Sequence, residues 1–353
     1  MFKKSRKSIL SPLILTISLG CYLSVKVPPS IFWPAAILGY AIPVVVFINL
    51  FLFVFYLLLK NKRYWFHLAG LLFAVPFIWV SFNVTGQQNP VEGTQFRLMS
   101  FNAKLFRESE TYEKFSRETI DWVTKDSSDI KCIQEFSYNP DNPKLDVLQM
   151  LKDRGYYHYN FQIDQKHNPG LAIFSKYPIV SRGIVNPENT SVNNMIYADV
   201  TIGPDTVRIY NVHLKSMRFE LERYKESDRL RSTMKIVINK LRYGAIDRAY
   251  EIRKLLSHVD QCMHPVVICG DFNETPYSYN YFTMKSKFNN SFEEVGKGFG
   301  FTFHGQPMKL RIDHHFYNDK IEVAGYWLDH SMEVSDHYPS RALYSIKGLH
   351  RDQ

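Results

Sequence analysis

The sequence predicts an α/β or α+β sandwich preceded by three transmembrane helices. The first 85 of its 353 residues contain no Asp or Glu and consist largely of apolar runs. From about residue 95 the pattern changes to short β-like runs separated by turns, with a few helical segments between them. Many short strands with flanking helices are typical of sheets covered by helices, whereas long apolar runs without acidic residues are typical of membrane spans.

Three apolar stretches are predicted to span a membrane, at about residues 9–25, 31–59 and 64–82. A hydrocarbon core about 30 Å thick requires roughly 20 apolar residues as helix. Pro34 and Pro43 lie inside the second stretch, and membrane helices tolerate prolines better than soluble helices do. Two alternatives stay open: a re-entrant pair around Pro43, and a lipoprotein cleavage site before Cys21, for which Ser18 is a poor fit.

The basic residues predict the orientation of these spans, since Lys and Arg near span ends favour the cytoplasmic side. Four basic residues precede the first span, Lys26 alone lies in the first connection, and Lys60, Lys62 and Arg63 fill the second. This alternation places the amino terminus inside and the chain after the third span outside. We therefore expect an integral, multi-pass membrane protein whose soluble domain is periplasmic or otherwise extracytoplasmic.

Composition divides the chain into an anchor at residues 1–85, a polar linker at 86–94 and a soluble domain at 95–347. The net charge is +9, but eight of the 43 basic residues lie in the anchor and all 34 acidic residues lie beyond position 90. The soluble domain is therefore near neutral, which gives little support for nucleic-acid binding. The cysteines show no CxxC spacing and are expected to be free thiols: Cys21, Cys132, Cys262 and Cys269.

The soluble domain contains eight strand candidates. They are Phe96–Phe101, Asp129–Glu135, Gly170–Phe174, Met195–Ile202, Thr206–Leu214, Pro265–Cys269, Ile312–Tyr317 and Arg341–Ile346. Helices are predicted at Tyr112–Lys125 and Pro143–Lys152, and a long charged helix at about Arg218–Gln261, broken near Tyr243-Gly244.

Polar residues fall at the ends of these apolar strands, where a sheet presents side chains to a common cleft. They are Asn102, Glu135, His213, Asp271, Asn273, Asp313, Asp336 and His337. Singly, each has an ordinary explanation as a turn residue, a helix cap or a core histidine. Together, oxygen ligands with two histidines and no cysteine cluster favour Mg²⁺ or Mn²⁺ over Zn²⁺. The set fits metal-assisted attack of water on a phosphate ester.

The motifs SFN, QE, NVHL, GDFN, RID and SDH follow one another in an order that resembles the endonuclease/exonuclease/phosphatase superfamily, over about residues 95–346. That superfamily includes pancreatic-type deoxyribonucleases, apurinic-site endonucleases, neutral sphingomyelinases and inositol polyphosphate 5-phosphatases. The resemblance implies a four-layer α/β/β/α sandwich with its site at the strand ends. It also implies a deoxyribonuclease- or sphingomyelinase-like enzyme, here with a membrane anchor.

The resemblance implies a metal-binding role for three residues. Glu135 resembles the principal metal-binding glutamate of the superfamily. Asn102 resembles the asparagine that supports metal and phosphate at the edge of the site, and Asp336 resembles the second carboxylate on the metal side. The cofactor implied in this way is Mg²⁺ or Mn²⁺.

The resemblance implies a catalytic role for five further residues. Asp271 resembles the aspartate that orients or deprotonates the attacking water, and Asn273 resembles its partner in holding phosphate and water. His337 resembles the histidine that contacts the scissile phosphate, with Asp313 orienting its imidazole. His213 resembles the histidine near the leaving group, as general acid or phosphate contact.

Other residues compete for these roles. The pair Asp329-His330 lacks the preceding Ser and following Pro that surround Asp336-His337, so the second pair is preferred. His314 and His315 are expected to be structural or to lie on the rim. The segment 215–254 holds 12 basic and 6 acidic residues and is typical of a solvated helix. A basic flap over an anionic substrate or against lipid headgroups is the alternative.

These observations predict a membrane-anchored, Mg²⁺-dependent enzyme that hydrolyses a phosphate ester, and a phosphodiester in particular. The motifs do not separate a nuclease from a lipid-headgroup phosphodiesterase, so the expected substrate is a nucleic acid or a phospholipid headgroup. The lipid bilayer is an expected partner, and no protein partner is evident. The alternative from another class is a non-catalytic membrane-bound binding protein on the same fold. The intact set of polar residues argues against this alternative.

Overall fold

The computed structural model describes residues 9–86, 90, 92–108, 114–161, 170–189, 193–216, 230–305 and 308–347. The chain forms two compact units. The first, here called the helical unit, comprises Met1–Ser81, Phe219–Ala249 and Pro276–Thr283. The second, here called the sandwich unit, comprises Phe82–Arg218, Tyr250–Thr275 and Met284–Gln353. The division into anchor, linker and soluble domain at residues 86–94 stays a prediction.

The helical unit begins with four helices: α1 (Leu10–Ser24), α2 (Pro34–Tyr40), α3 (Ile42–Leu58) and α4 (Tyr64–Ser81). Within the described residues, α4 is long and apolar enough to cross a membrane by itself. The helices α2 and α3 qualify only as one broken span, bent by 49°, and α1 has 15 residues. The predicted second span is thus interrupted at Ala41. A proline opens each of its two halves, where its missing N–H is tolerated.

The helical unit buries polar side chains and exposes apolar ones. Ser11, Ser18, Asn49 and His67 are each at most 1% exposed, whereas Leu58 is 78% and Trp79 72% exposed. The Asn49 amide donates to Ser18 Oγ over 2.7 Å, and the His67 ring contacts Asn49 Oδ1 at 3.1 Å and Ser11 Oγ at 3.2 Å. A bundle in water has the opposite distribution.

The sandwich unit contains two six-stranded mixed sheets. The first has the order β11-β12-β1-β2-β4-β3, with β1 (Thr94–Asn102), β2 (Ile130–Phe136), β3 (Tyr157–Phe161), β4 (Gly170–Ser175), β11 (Ile321–Leu328) and β12 (Ser340–Ile346). The second has the order β5-β6-β7-β8-β10-β9, with β5 (Ile179–Ile184), β6 (Met195–Ile202), β7 (Asp205–His213), β8 (Val266–Asp271), β9 (Asn289–Asn290) and β10 (Asp313–Tyr317). The pairs β1–β2 and β7–β8 are parallel.

A continuous apolar core joins the two sheets, with Leu98, Ile209 and Val267 among its fully buried residues. The remaining helices are α5 (Arg117–Lys125), α6 (Val147–Asp153), α7 (Leu230–Val259), α8 (Tyr279–Lys285) and α9 (Ser291–Val295). The helices α5 and α6 pack on the other face of the first sheet. The last turns of α7 meet the second sheet, where His258 Nδ1 lies 2.8 Å from the Tyr210 hydroxyl. The predicted α/β sandwich is confirmed.

All eight predicted strand runs occur in strands, but β3, β5, β9 and β11 were not predicted. The strands β3 and β5 are at sheet edges and partly exposed, so their alternation is weak, and β11 is interrupted by a bulge between Val323 and Gly325. The predicted break near Tyr243-Gly244 is wrong, because α7 continues through a buried Gly244. Glycine inside a helix costs only about 1 kcal/mol, which packing can offset. Residues 218–229 of this predicted helix lie outside the described residues.

Candidate active site

Three strand ends of the second sheet and one of the first sheet bring four of the eight predicted polar residues together. In the strand register His213 lies opposite Asp271 in the parallel pair β7–β8, and Asp313 lies opposite Asp271 in the antiparallel pair β8–β10. Asn102 ends β1 in the other sheet, and its Nδ2 donates to Asp271 Oδ2 over 3.1 Å. The site therefore lies at the strand ends of both sheets, where β1 of the first sheet comes close to β8 of the second.

The Oδ2 atom of Asp271 is the focus of this arrangement. Besides the amide of Asn102, the Nε2 atoms of His213 and His337 each lie 3.8 Å from it. All four side chains are at most 5% exposed. Two imidazoles and an amide around one buried carboxylate oxygen give proton donors and a proton acceptor within reach of one small reactant.

Three contacts hold His337, two of them through its imidazole. Its Nδ1 donates to Asp313 Oδ2 over 2.8 Å, and its backbone N–H donates to Ser335 Oγ over 3.2 Å. The Phe303 ring packs edge-on against it at 5.1 Å between centroids. Asp313 is held in turn, because its backbone N–H donates to Thr302 Oγ1. With Nδ1 occupied, Nε2 is the ring atom that faces Asp271.

The electrostatics of the buried cluster follow from burial and from three charges. Burial raises the pKa of Asp271 to about 7, with the Asp313 carboxylate adding to the rise and His337 opposing it. Burial lowers the pKa of His337, but Asp313 and Asp271 outweigh it and raise this pKa to about 10. Burial also raises the pKa of Asp313, yet His337 more than offsets it, so that this pKa is lowered. The 2.8 Å contact identifies Asp313, not Asp271, as the counter-ion of His337.

The GDFN turn contains two residues with positive φ, Gly270 and Asn273, and their residue types suit this backbone conformation. Gly270 has φ +140°, and a Cβ atom there would lie 2.0 Å from the carbonyl oxygen of Val212. Asn273 has φ +50°, a left-handed conformation that Asn adopts more readily than most residues. Its backbone N–H donates to Asp271 Oδ1 over 2.8 Å and its amide donates to the Leu214 carbonyl over 3.0 Å. The turn thereby fixes the second oxygen of Asp271.

Glu135 lies in a bulge at the end of β2. The β2–β4 register shifts between Gln134 and Phe136, and Glu135 is in the left-handed region with φ +47°. Bulges next to active sites re-aim side chains, and a non-glycine residue in this region is a strained position that points to function. Gln134 lies opposite Asn102 in the parallel pair β1–β2, so Glu135 adjoins the Asn102 end of the site.

Asp336 lies at a more solvated position, with 35% of its side chain exposed. Its Oδ2 lies 3.7 Å from Nζ of Lys104, and the backbone N–H of Lys104 donates to Asn102 Oδ1 over 3.1 Å. Sequence reasoning missed Lys104, although it comes only two residues after the SFN motif. It also missed Thr302 and Phe303, for which no motif gave a signal.

The described residues contain one group of acidic and histidine side chains whose ligand atoms all lie within 4.8 Å of one another, Asp271, Asp313 and His337. This group differs from the predicted metal residues Asn102, Glu135 and Asp336. An imidazolium at His337 offsets one of the two carboxylate charges, and its Nδ1 is already taken up by Asp313.

The competing histidines have structural partners. His314 Nε2 lies 2.8 Å from the Glu274 carbonyl oxygen, and the His315 ring lies between the hydroxyls of Ser340 and Tyr344. Burial lowers the pKa of both rings to about 3. His330 is exposed and packs edge-on against Tyr338.

Solved structures of low sequence identity share the fold. A protein from Beutenbergia cavernae DSM 12333 described as endonuclease/exonuclease/phosphatase superposes with a TM-score of 0.53 at 16% identity, covering 72% of each chain. The human Nocturnin catalytic domain gives 0.51 at 18% identity, covering 72% of this chain and 94% of that one. The 3′ phosphatase NExo from Neisseria, solved with product DNA, gives a TM-score of 0.51 at 17% identity, covering 70% of this chain and 98% of that one.

The chain belongs to the Endonuclease/Exonuclease/phosphatase family, whose family model matches residues 99–337. Its members are phosphoesterases and nucleases, so this protein is of the phosphoester-hydrolase class. A second family model, described as a domain of unknown function (DUF8431), matches residues 4–81. A DNA-(apurinic or apyrimidinic site) endonuclease of Dictyostelium discoideum is 32% identical over 86 residues, which are 24% of this chain and only 21% of that protein.

Proposed function

We propose that this protein is a membrane-anchored, divalent-metal-dependent hydrolase of phosphodiesters. The observation that carries the proposal is the convergence of Asn102, His213 and His337 on one buried oxygen of Asp271. A carboxylate in contact with two imidazoles suits proton transfer to and from water and a phosphate ester. The residues come from the strand ends of a fold whose family hydrolyses phosphate esters.

The residues of the site divide the reaction between them. Asp271 orients the attacking water and accepts its proton, because its pKa near 7 matches the proton affinity that a general base needs at neutral pH. Asn273 holds the other oxygen of Asp271 through its backbone N–H. His337, kept protonated by Asp313, contacts the negative phosphate oxygens. His213 lies on another side of the same carboxylate and serves the leaving group.

The donor set fits a hard divalent cation. Glu135 and Asn102 supply oxygen ligands at one end of the site, Asp336 supplies a second carboxylate, and no cysteine contributes. Oxygen ligands suit Mg²⁺ or Mn²⁺. Such an ion would polarise the phosphoryl group and neutralise charge that develops on it. The strained backbone of Glu135 supports its role as the main ligand.

The helical unit supports anchoring by three spans. Ser11 at the start of α1 meets His67 at the start of α4, and Tyr22 stacks on Phe77 at the other ends, so α1 and α4 are parallel. Tyr56 at the end of α3 stacks on His67, so α3 runs in the opposite direction. Buried polar residues that link helices, with apolar residues outside, are typical of membrane bundles.

The same arrangement supports an extracytoplasmic site. In an up-down-up bundle, Lys60, Lys62 and Arg63 share one end with the start of α1, which four basic residues precede in the sequence, whereas Lys26 lies at the other end with Ser81. The end that is richer in basic residues is expected on the cytoplasmic side. The chain that follows Ser81 would then lie outside.

The substrate is proposed to be a phosphodiester of a nucleic acid or of a phospholipid headgroup. The full-length protein in detergent should be assayed on plasmid DNA, RNA, sphingomyelin, phosphatidylinositols and bis(p-nitrophenyl) phosphate, with Mg²⁺ and with EDTA. Turnover of at least one diester that EDTA and Asp271→Asn both abolish supports the proposal. No metal-dependent turnover of any of them would favour a non-catalytic binding protein.

A further inference from the structure

Four apolar side chains of the sandwich unit form an exposed surface directly after α4. They are Phe82, Val84, Phe299 and Phe301, which are 43%, 77%, 54% and 38% exposed and are here called the aromatic edge. The ring of Phe82 packs against Phe299 at 5.0 Å between centroids, and Phe299 stacks on Phe301 at 5.5 Å. Large neighbouring apolar groups left in contact with solvent mark an interaction surface.

The backbone of the aromatic edge is firmly held. Asn83 and Gly298 form an antiparallel bridge, in which each N–H donates to the other's carbonyl oxygen over 3.0 Å and 2.7 Å. The buried Asn83 amide donates to the carbonyls of Phe292 and Glu293. Because side chains alternate along a strand, an inward Asn83 turns Phe82 and Val84 outward. Exposure of these side chains is therefore built into the pairing.

The covalent link between this surface and α4 indicates what covers it. Phe82 is bonded to Ser81, the last residue of α4, which is the helix of spanning length. If α4 crosses a bilayer, as the proposed function requires, Phe82 lies within about 4 Å of its end, at the depth where aromatic side chains prefer to sit. The exposed Lys297 and Lys309 lie near this surface in the chain and suit phosphate headgroups.

The backbone segment that carries Phe301 of the aromatic edge also supports the pair Asp313–His337. Phe301 is two residues from Phe303, whose ring packs on His337 and whose backbone bridges to it. Thr302 between them accepts hydrogen bonds from the backbone N–H groups of Ile312 and Asp313. Two residues of extended chain span at most about 7 Å. A ring of Phe301 in the headgroup layer thus keeps His337 close to that layer.

We propose that the aromatic edge inserts into the interface of the bilayer that holds α4 and brings the site within reach of phosphate esters at the headgroup level. The substrate class that fits is a phosphodiester presented at the membrane surface. This inference rests on the proposed membrane anchoring, and it adds a docking surface and a place of action.

The test uses the full-length protein with Cys262→Ser, because Cys262 is the free cysteine that is not buried among the described residues. Phe299→Cys carries an NBD fluorophore in phosphatidylcholine nanodiscs with or without nitroxide-headgroup lipid. Val84→Cys is a second reporter of the edge should Phe299→Cys fail to fold. Val180→Cys is the matched control, since Val180 is 62% exposed in β5, at the opposite end of the second sheet from β9.

The expected result is loss of NBD fluorescence in nitroxide nanodiscs at position 299 or 84 and none at 180. The inference is overturned if nitroxide lipid lowers NBD fluorescence equally at the three positions or at none of them. Flotation with phosphatidylcholine vesicles and hydrolysis of bis(p-nitrophenyl) phosphate are measured on the same samples. A protein that floats and hydrolyses the diester but shows no quenching keeps the proposed function and loses the docking surface. A protein that does not float loses both anchoring and docking.

Discussion

The Nδ1 atom of His337 lies 2.8 Å from Oδ2 of Asp313, and both groups are at most 5% exposed. Paired in this way, the imidazole gains a counter-ion that more than offsets the cost of burying its charge, and its pKa rises to about 10. The pair therefore delivers a permanent positive charge at neutral pH beside a carboxylate, Asp271, whose own pKa is raised to about 7.

The first prediction concerns the pH dependence of kcat/KM. Activity should rise with pH as Asp271 loses its proton near pH 7 and fall as His337 loses its proton near pH 10. A bound cation stabilises the Asp271 carboxylate and would move the acid limb to lower pH. Asp313→Asn removes the main group that raises the pKa of His337, so the alkaline limb should move to lower pH. Profiles with bis(p-nitrophenyl) phosphate from about pH 5 to about pH 11 measure both limbs.

A matched control for that profile is Asp319→Asn. Asp319 is an exposed aspartate whose carboxylate accepts from Asn289, so its loss should leave both limbs in place. An alkaline limb that stays near pH 10 in Asp313→Asn would show that this carboxylate does not set the protonation of His337.

The second prediction concerns single side chains of the site. Asp271→Asn and His337→Ala should each lower kcat by roughly 10²–10⁴, the range for a positioned acid or base. His330→Ala should cost little, because His330 is exposed and outside the cluster around Asp271. Circular dichroism checks that the variants fold. An inactive His330→Ala beside an active His337→Ala would mean that the other Asp-His pair is the catalytic one.

Five of the six motifs, SFN, NVHL, GDFN, RID and SDH, named in advance residues that lie around Asp271, because each motif lies at or close to the end of a strand. Two features of the site were not accessible in this way. The bulge that re-aims Glu135 depends on the β2–β4 register, which no local pattern encodes. The support of Asp313 by Thr302 and of His337 by Phe303 depends on a loop whose course only the tertiary structure fixes.

The fold was predictable to a similar extent. Strands buried on both faces, such as β2 and β8, are continuous apolar runs and were found. Edge strands such as β5 carry mixed residues because solvent covers one side, and they were missed. Gly244 suggested a helix break, but burial in α7 outweighs the weak local preference of glycine.

The third prediction concerns a buried ion pair outside the site. Asp126 accepts from Lys131 Nζ over 2.7 Å and from Arg341 Nε over 2.7 Å, and Lys131 is fully buried. Asp126→Asn leaves the Lys131 ammonium without its counter-ion and should lower the free energy of unfolding by about 3–5 kcal/mol. Urea denaturation in detergent at pH 7 measures it. Asp121→Asn, which breaks only exposed pairs, should cost about 1 kcal/mol or less.

The same pair predicts the response of stability to acid. Burial raises the pKa of Asp126, but Lys131 and Arg341 outweigh it and lower this pKa from 3.8 to about 2. Burial lowers the pKa of Lys131 to about 8 despite Asp126, so the pair as a whole is worth less than its short distances suggest. A depressed carboxylate pKa stabilises the fold above pH 3.8, and this contribution should disappear between pH 3.8 and about 2. Asp126→Asn should reduce the change in the free energy of unfolding over this pH range.

The fourth prediction concerns membrane orientation. With three spans, a fusion of alkaline phosphatase after Gly93 should be active, and green fluorescent protein at the same place should be dark. In the sequence, one basic residue lies between the first and second predicted spans, against four before the first span and three before the third, and this distribution favours the orientation. Bright fluorescence with silent phosphatase would place the sandwich unit in the cytoplasm and refute three spans with the amino terminus inside.

The most direct test of the account is hydrolysis of bis(p-nitrophenyl) phosphate by the full-length protein in detergent. We predict turnover with Mg²⁺ or Mn²⁺, none with EDTA, recovery when the ion is restored, and a strong loss of activity with Glu135→Gln that extra Mg²⁺ partly restores. The conservative change keeps the size of the side chain, so it isolates the charge that would hold the ion. Full activity in EDTA would contradict the assignment of a metal-dependent phosphodiesterase, and wild-type metal dependence in Glu135→Gln would contradict Glu135 as the main ligand.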